Sequence, residues 1–394
     1  MLRLFHTAAR ADEERNRKNM LIRNECYKVY GNITAVLFIM LVFAVNGIQL
    51  KYLENKSRTG YGKFPAEAYN TLWNDLSAKA VSDGGSFGAA LLMLEDMDNT
   101  LSGVRIGKLD EGMLPYTGDY TAERSLYARI KNEISFTLNY RDYIEGMYSS
   151  AERLAFLPIY ADRDGFAYRK LAATPEIYES MRNTEPECAP SLGIVMAVNT
   201  DVTDVLSLAV IIYLCAALWQ KEREQGLISF IRTAYKGRYA LGACKLFVLA
   251  VSIMACGVIM YGANVCLAEQ TYGLGDLTRP LASVYEYGTT QWNISTGLFL
   301  VLFILLKIAA FILAGFLISM LLCMIRNSTF AIAAVIAATA VCCALYYGID
   351  ALSVFSPIKY LNPFGLMKTE HMFRGNIWIN FSHILCSSAI ASQH

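Results

Sequence analysis

The chain has 394 residues, of which 55% are hydrophobic and 18% are charged, and its formal net charge is +1. Soluble domains carry about 25% charged residues, so this composition argues against an ordinary soluble protein, and the near-neutral charge gives no reason to expect nucleic acid as a partner. The apolar residues fall in runs long enough to cross a hydrocarbon core, which needs about 20 helical residues. We therefore predict an all-α polytopic membrane protein with about six transmembrane helices.

The apolar runs divide the chain into spans and connecting segments. The sixth run starts near Ile377 and contains Asn380 and His383, so we expect this last span to be truncated. In chain order we predict an amphipathic N-terminus at 1–28, the first span at 29–50, a mainly helical extracellular domain at 51–199, the second span at 200–219, a cytoplasmic loop at 220–245 and a bundle at 246–394, whose spans lie at 246–268, within 297–325, at 329–349 and from 377.

The basic residues give the predicted orientation. The N-terminus at 1–28, the loop at 220–245 and the turn at Arg326 contain Lys or Arg, and all three fall on one side if the chain crosses at every span. Short loops with Lys and Arg stay in the cytoplasm. We therefore expect a cytoplasmic N-terminus, and we expect the membrane itself to be a bacterial plasma membrane. A cleaved signal peptide is the competing interpretation of the first span, but the leading polar region is too long and no A-x-A-like site follows it.

The extracellular domain is predicted from apolar stripes at helical spacing, which we interpret as core packing rather than a ligand site. Ser86–Met97 is a further candidate helix. Of the ten cysteines only Cys188 falls in this domain, so it cannot close an internal disulfide, and no C-x-x-C spacing for zinc or redox chemistry occurs. The stripes consist of Tyr69, Leu72, Trp73, Leu76 and Ala80 in one helix and of Leu126, Ile130, Ile134 and Leu138 in another.

Two short motifs match catalytic or nucleotide-binding signatures, but their context does not fit. Gly84–Gly88 matches G-x-S-x-G, yet the preceding residues read as helix and no histidine occurs between 51 and 199. Gly103–Leu109 is similar to a phosphate-binding loop but is one residue short, and Leu109 replaces the Ser or Thr that would hold magnesium. We therefore predict that this chain is not an enzyme and binds no cofactor or metal.

Three charged residues lie within or at the ends of the predicted spans. Counting about 20 residues back from Arg326 starts the fourth span near Leu306. We therefore favour Lys307 as an anchor, with its amine among the outer headgroups, over a residue that lines a cavity. Asp201 and Asp204 lie one turn apart at the outer end of the second span, where we favour hydrated end residues over an ion site.

The loop at 220–245 carries the most informative pattern in the chain. A charged run at 221–224 precedes an apolar stripe at helical spacing, and Gly237 and Arg238 follow it. This pattern predicts a short amphipathic helix on the cytoplasmic face. Such a helix either lies on the headgroups or packs its apolar face into a groove of a soluble partner. The stripe consists of Leu227, Ile228, Ile231, Ala234 and Tyr235.

The same loop resembles the exit of the second span in ABC-2 type transporter permeases. In that family an E-x-E-x-G patch leads into a coupling helix, followed by an Arg and by a Lys that enters the third span. The order of spans around a large outside domain is also similar. At position 234 this chain has alanine, whereas many members of the family have proline there. The matching stretch reads Glu222-Arg223-Glu224-Gln225-Gly226, five further residues, Arg232-Thr233-Ala234, Gly237-Arg238 and Lys245.

The resemblance implies the permease subunit of an ABC exporter, with a peptide, an antibiotic, a lipid or an ion as cargo. Two permease chains, identical or related, would pair in the lipid bilayer, and each would dock on a separate subunit that binds ATP and Mg²⁺. The alternatives are a membrane sensor whose extracellular domain binds a ligand, and an assembly protein without transport. The residues implied as ATPase contacts, not catalysts, are Glu222, Glu224, Gly226, Leu227, Ile231, Arg232 and Arg238.

Overall fold

The protein is an all-α polytopic membrane protein. In the described part of the chain all regular elements are helical, and five helices are long and apolar enough to cross a membrane. The predicted sixth span lies outside the described residues. The computed structural model describes residues 20–59, 64–82, 86–103, 114–154, 156–157, 163, 168, 171–172, 179, 181–224, 237–290, 292–325, 327–349 and 356–373.

The five candidate spans lie at Ile33–Lys56, Leu192–Gln220, Tyr239–Tyr272, Thr296–Met324 and Ser328–Gly348. Each contains a long apolar stretch, as expected of helices in a membrane. The described helices are α1 at 20–30, α2 Ile33–Thr59, α3 Ala66–Ser82, α4 Phe87–Gly103, α5 Tyr120–Leu138, α6 Tyr140–Leu154, α7 Leu192–Val198, α8 Asp201–Glu224, α9 Gly237–Tyr272, α10 Thr296–Met324, α11 Ser328–Gly348, α12 Ser356–Leu361, α13 Pro363–Met367 and α14 Glu370–Phe373.

The chain divides into two compact units, of which unit 1 comprises the described residues within Met1–Gln49, Thr200–Gly262 and Ile304–Met367. Glycines let its helices approach closely, as is common between membrane helices. A Cβ atom added at Gly257 would lie 2.9 Å from the Ile308 Cγ1 atom, and one at Gly315 would lie 2.8 Å from the Ile253 Cδ1 atom. The core of unit 1 includes Leu208, Ile211, Leu214, Leu218, Leu249, Ile253, Phe311, Ala314, Ile318 and Leu322.

Unit 2 comprises the described residues within Leu50–Asn199, Ala263–Phe303 and Lys368–His394. Its main core lies between α3, α4 and α5 and confirms the predicted stripes as core packing, except for Leu138, which is 45% exposed because it is the last residue of α5. The candidate helix predicted at Ser86–Met97 is present as α4 and extends to Gly103. The buried core includes Tyr69, Leu72, Trp73, Leu76, Ala90, Leu94, Leu126, Tyr127, Ile130 and Ile134.

Candidate functional site

Lys307 and Asp204 form an ion pair in the interior of unit 1. The Lys307 Nζ atom lies 2.9 Å from Asp204 Oδ1 and 2.8 Å from Asp204 Oδ2. The two side chains are 0% and 2% exposed. The lysine comes from α10 and the aspartate from α8, so the pair joins two candidate membrane spans. Ionisable residues inside membrane spans are energetically costly, so a functional role is the default hypothesis for them.

Two hydroxyl groups hold the Asp204 carboxylate in addition to the lysine. The Tyr261 hydroxyl donates to Asp204 Oδ1 at 2.8 Å, and the Thr200 hydroxyl donates to the same oxygen at 3.1 Å. The Lys307 ammonium also lies 5.8 Å from the centre of the Tyr261 ring. Because Tyr261 lies on α9, the carboxylate is contacted from both neighbouring spans.

The structure corrects two of the predictions made from the sequence. The anchor role for Lys307 is wrong, because its side chain is fully buried against Asp204. α10 begins at Thr296, so Lys307 lies eleven residues, or about 17 Å, inside the helix, where its amine meets Asp204 instead of the headgroups. The prediction of hydrated end residues is wrong for Asp204, which is buried, whereas Asp201 is exposed.

The polar groups beside the ion pair also have partners. The Thr203 hydroxyl donates to Asn46 Oδ1 at 3.0 Å, which ties α8 to α2, and the Ser207 hydroxyl lies 3.6 Å from the Met260 sulfur. A cavity of about 10 Å³ lies between α8, α9 and α10, next to Tyr261 and Ser207. This volume corresponds to about one water molecule. The space is lined mainly by apolar side chains, and Tyr261, which donates to Asp204, connects it to the ion pair.

Lys245 connects the two helices that flank the predicted cytoplasmic loop. Its side chain is buried, and its ammonium donates to the backbone carbonyl of Leu218 at 2.6 Å. The same ammonium lies 4.8 Å from the centre of the Trp219 ring. Cations near the last carbonyls of a helix interact favourably with its dipole. Lys245 thus fixes the first part of α9 to the last turns of α8.

The residues implied as ATPase contacts lie at or beyond the edges of the described chain. The backbones of Glu222 and Glu224 belong to the last turn of α8, and that of Arg238 belongs to the first turn of α9, but their side chains are outside the described residues. The segment 225–236 is also outside them. The predicted coupling helix, with Gly226, Leu227, Ile231 and Arg232, therefore stays a prediction.

A second group of buried charges lies in unit 2. The Glu133 carboxylate accepts from the Arg129 Nε atom at 2.6 Å, from the Ser191 hydroxyl at 2.5 Å and from the Tyr69 hydroxyl at 2.7 Å. Arg129 also contacts Glu286 at 2.5 Å. Burial raises the pKa of Glu133 above its ordinary value, and Arg129 and the hydrogen-bond donors oppose this effect. Since these groups satisfy one another, we interpret the cluster as a structural connection between α3, α5 and the segment before α7.

No known protein, and no metal site among the described residues, assigns a function to this chain. Comparisons with family models, with curated proteins and with solved structures give no match for this chain. Within the described ranges, no group of three or more His, Cys, Asp or Glu side chains could hold a metal ion. The function proposed below is therefore supported by the residues of this chain alone.

Proposed function

We propose that this chain is the transmembrane permease subunit of an ABC exporter of the ABC-2 type, which works with a separate ATP-binding subunit. The support comes from its polytopic helical fold, the charged pair inside unit 1 and the loop whose sequence resembles the family's coupling element. In this proposal the N-terminus is cytoplasmic, two permease chains pair in a bacterial plasma membrane, and ATP with Mg²⁺ is bound by the partner subunit.

One observation carries the proposal: α8 links the loop motif to the buried ion pair. Asp204 lies near the beginning of α8, and the backbones of Glu222 and Glu224 form its last turn. The 18 residues from Asp204 to Glu222 correspond to about 27 Å along a helix, which is close to the thickness of a hydrocarbon core. A displacement of the loop would therefore be transmitted along one continuous helix to the ion pair.

The proposed mechanism couples nucleotide-driven movement to a change at this pair. Closure of the two ATPase subunits would move the loops, and Lys245 would carry the beginning of α9 along with the end of α8. Because α10 is joined to α8 through Lys307 and Asp204, the spans would have to move together or the pair would have to separate. Either response would change the space between the helices, through which the cargo has to pass.

The test is purification of the tagged, full-length chain from its native membrane in mild detergent, followed by mass spectrometry and an ATP hydrolysis assay. We expect an ATP-binding cassette subunit to copurify and Arg232→Glu to lower its yield about tenfold, since like charges at an interface are strongly unfavourable. The matched control is Arg141→Glu, because this arginine is 83% exposed on α6 and should leave the yield unchanged.

The outcomes separate transport from the alternative functions. If the wild-type chain brings down no ATP-binding subunit, the exporter proposal fails. If Arg232→Glu and Arg141→Glu lower the yield of the ATP-binding subunit equally, the loop is not part of the interface. A sensor would instead retain a signalling protein and show no ATP hydrolysis that depends on this chain.

A further inference from the structure

A larger cavity in unit 1 has an apolar wall. It lies between α8, α10, α11 and α13 and has a volume of about 80 Å³. No charged side chain lines it, and its one hydroxyl, on Thr339, already donates to the Val335 carbonyl at 2.8 Å. A polar group placed there would lose its hydration without gaining a hydrogen bond, so the wall suits an alkyl chain. The lining residues are Leu208, Ala314, Leu317, Ile318, Leu321, Val335, Ala338, Thr339, Cys342, Pro363, Phe364 and Met367.

The helix faces that carry the ion pair continue into this cavity. On α8, Leu208 follows Asp204 by four residues, or one turn of about 6 Å. On α10, Ala314 and Ile318 follow Lys307 by seven and eleven residues, which is helical same-face spacing. On both helices, these cavity-lining residues lie on the C-terminal side of the charged residue. A charged site and an apolar site are therefore arranged along the same two helices.

Of the two charged partners, the lysine is the one that a ligand can replace. Asp204 has a short side chain, and the Tyr261 and Thr200 hydroxyls would still hold it if Lys307 moved away. The ammonium of a lysine instead lies at the end of a flexible four-carbon stem. The group that stays in place is thus a carboxylate, and a ligand that takes the place of the ammonium has to be a cation.

We propose that unit 1 binds a cationic amphiphile, whose ammonium group replaces that of Lys307 at Asp204 and whose alkyl chain enters the apolar cavity with its end. This inference deepens the proposed function by naming the class of cargo. Binding itself needs neither ATP nor the partner subunit. Failure of the amphiphile site and failure of the ATPase interaction are therefore separate results.

The first experiment compares headgroups on one chain. The full-length protein in lipid nanodiscs is irradiated with a 12-carbon alkylamine that carries a diazirine near its tail, and labelled residues are mapped by mass spectrometry. We expect labelling within residues 314–321 and 335–342, and about tenfold less with the alcohol or the carboxylate of the same chain, because these lack the charge that Asp204 attracts. Equal labelling by the alcohol, or by a diazirine phospholipid of the bilayer, would overturn the requirement for a cation.

Two kinds of variant test the two parts of the site. Ala338→Phe places a ring in the cavity and should abolish labelling by the amine, whereas Ala337→Phe, on the exposed face of the same helix, should not change it. The double variant Asp204→Asn and Lys307→Met removes both charges and should make labelling by the amine and the alcohol equal. Undiminished labelling of the Ala338→Phe protein, or a persistent preference for the amine in the double variant, would refute the proposal.

Discussion

Removal of one member of the buried ion pair gives the most direct test of the candidate site. Lys307→Met keeps the length of the side chain but leaves the Asp204 carboxylate without its cation. Breaking a buried pair costs about 3–5 kcal/mol. We expect about 3 kcal/mol, at the low end of this range, because Tyr261 and Thr200 still donate to the carboxylate.

The double variant separates the cost of an isolated charge from the value of the pair. When Asp204→Asn accompanies Lys307→Met, no charge remains, and the amide oxygen can still accept from Tyr261. We expect this protein to lie within about 1 kcal/mol of the wild type, because neutral replacements of buried ion pairs are often nearly neutral in stability. The two single variants should therefore be strongly non-additive.

The assay is reversible unfolding in mixed micelles, followed by circular dichroism, with the free energy of unfolding compared between variants. Lys51→Met is the control, because Lys51 is 67% exposed and its pairing with Glu54 at 3.1 Å should contribute less than about 1 kcal/mol. If Lys307→Met costs no more than Lys51→Met, or if the single costs simply add, the charged pair is not the coupled element inferred from the structure.

Three further predictions concern unit 2 and the packing of glycines. Burial raises the pKa of Glu133, so between the ordinary and the raised pKa the folded state keeps a proton that the unfolded state has released. The free energy of unfolding should therefore fall as pH rises through this window. Denaturant titrations at a series of pH values should show this fall in the wild type and its loss in Glu133→Gln. Burial raises the pKa of the Cys188 thiol from 9.0 to about 12, so at pH 8 its alkylation, measured by peptide mapping, should be about a thousandfold slower in the folded than in the denatured chain, and similar rates would contradict this environment. A Cβ atom at Gly193 would overlap the backbone carbonyl of Gly273, whereas one at Gly47 meets no atom within 4 Å; thermal unfolding should show that Gly193→Ala costs about 2 kcal/mol or more and that Gly47→Ala is neutral or stabilising.

Local patterns in the sequence were sufficient to predict the helices and much of the core. The apolar runs predicted the five spans that the structure describes, because a membrane span needs only length and apolar composition. The stripe from Tyr69 to Ala80 predicted buried positions on α3, because side chains three and four residues apart share one face of a helix. Both properties are local and can be read from neighbouring residues.

The site depended on contacts between distant parts of the chain. Asp204 and Lys307 are 103 residues apart, and two isolated charges in separate apolar runs do not reveal whether their helix faces meet. Glu133 presents the same difficulty, since its burial depends on donors from other elements, including Ser191 and Tyr69. Helical periodicity determines which residues share a face, whereas only the packing of α8 against α10 decides which faces contact each other. For this reason the sequence alone determined the membrane-spanning helices, and the tertiary structure decided that one carboxylate and one ammonium lie together between them.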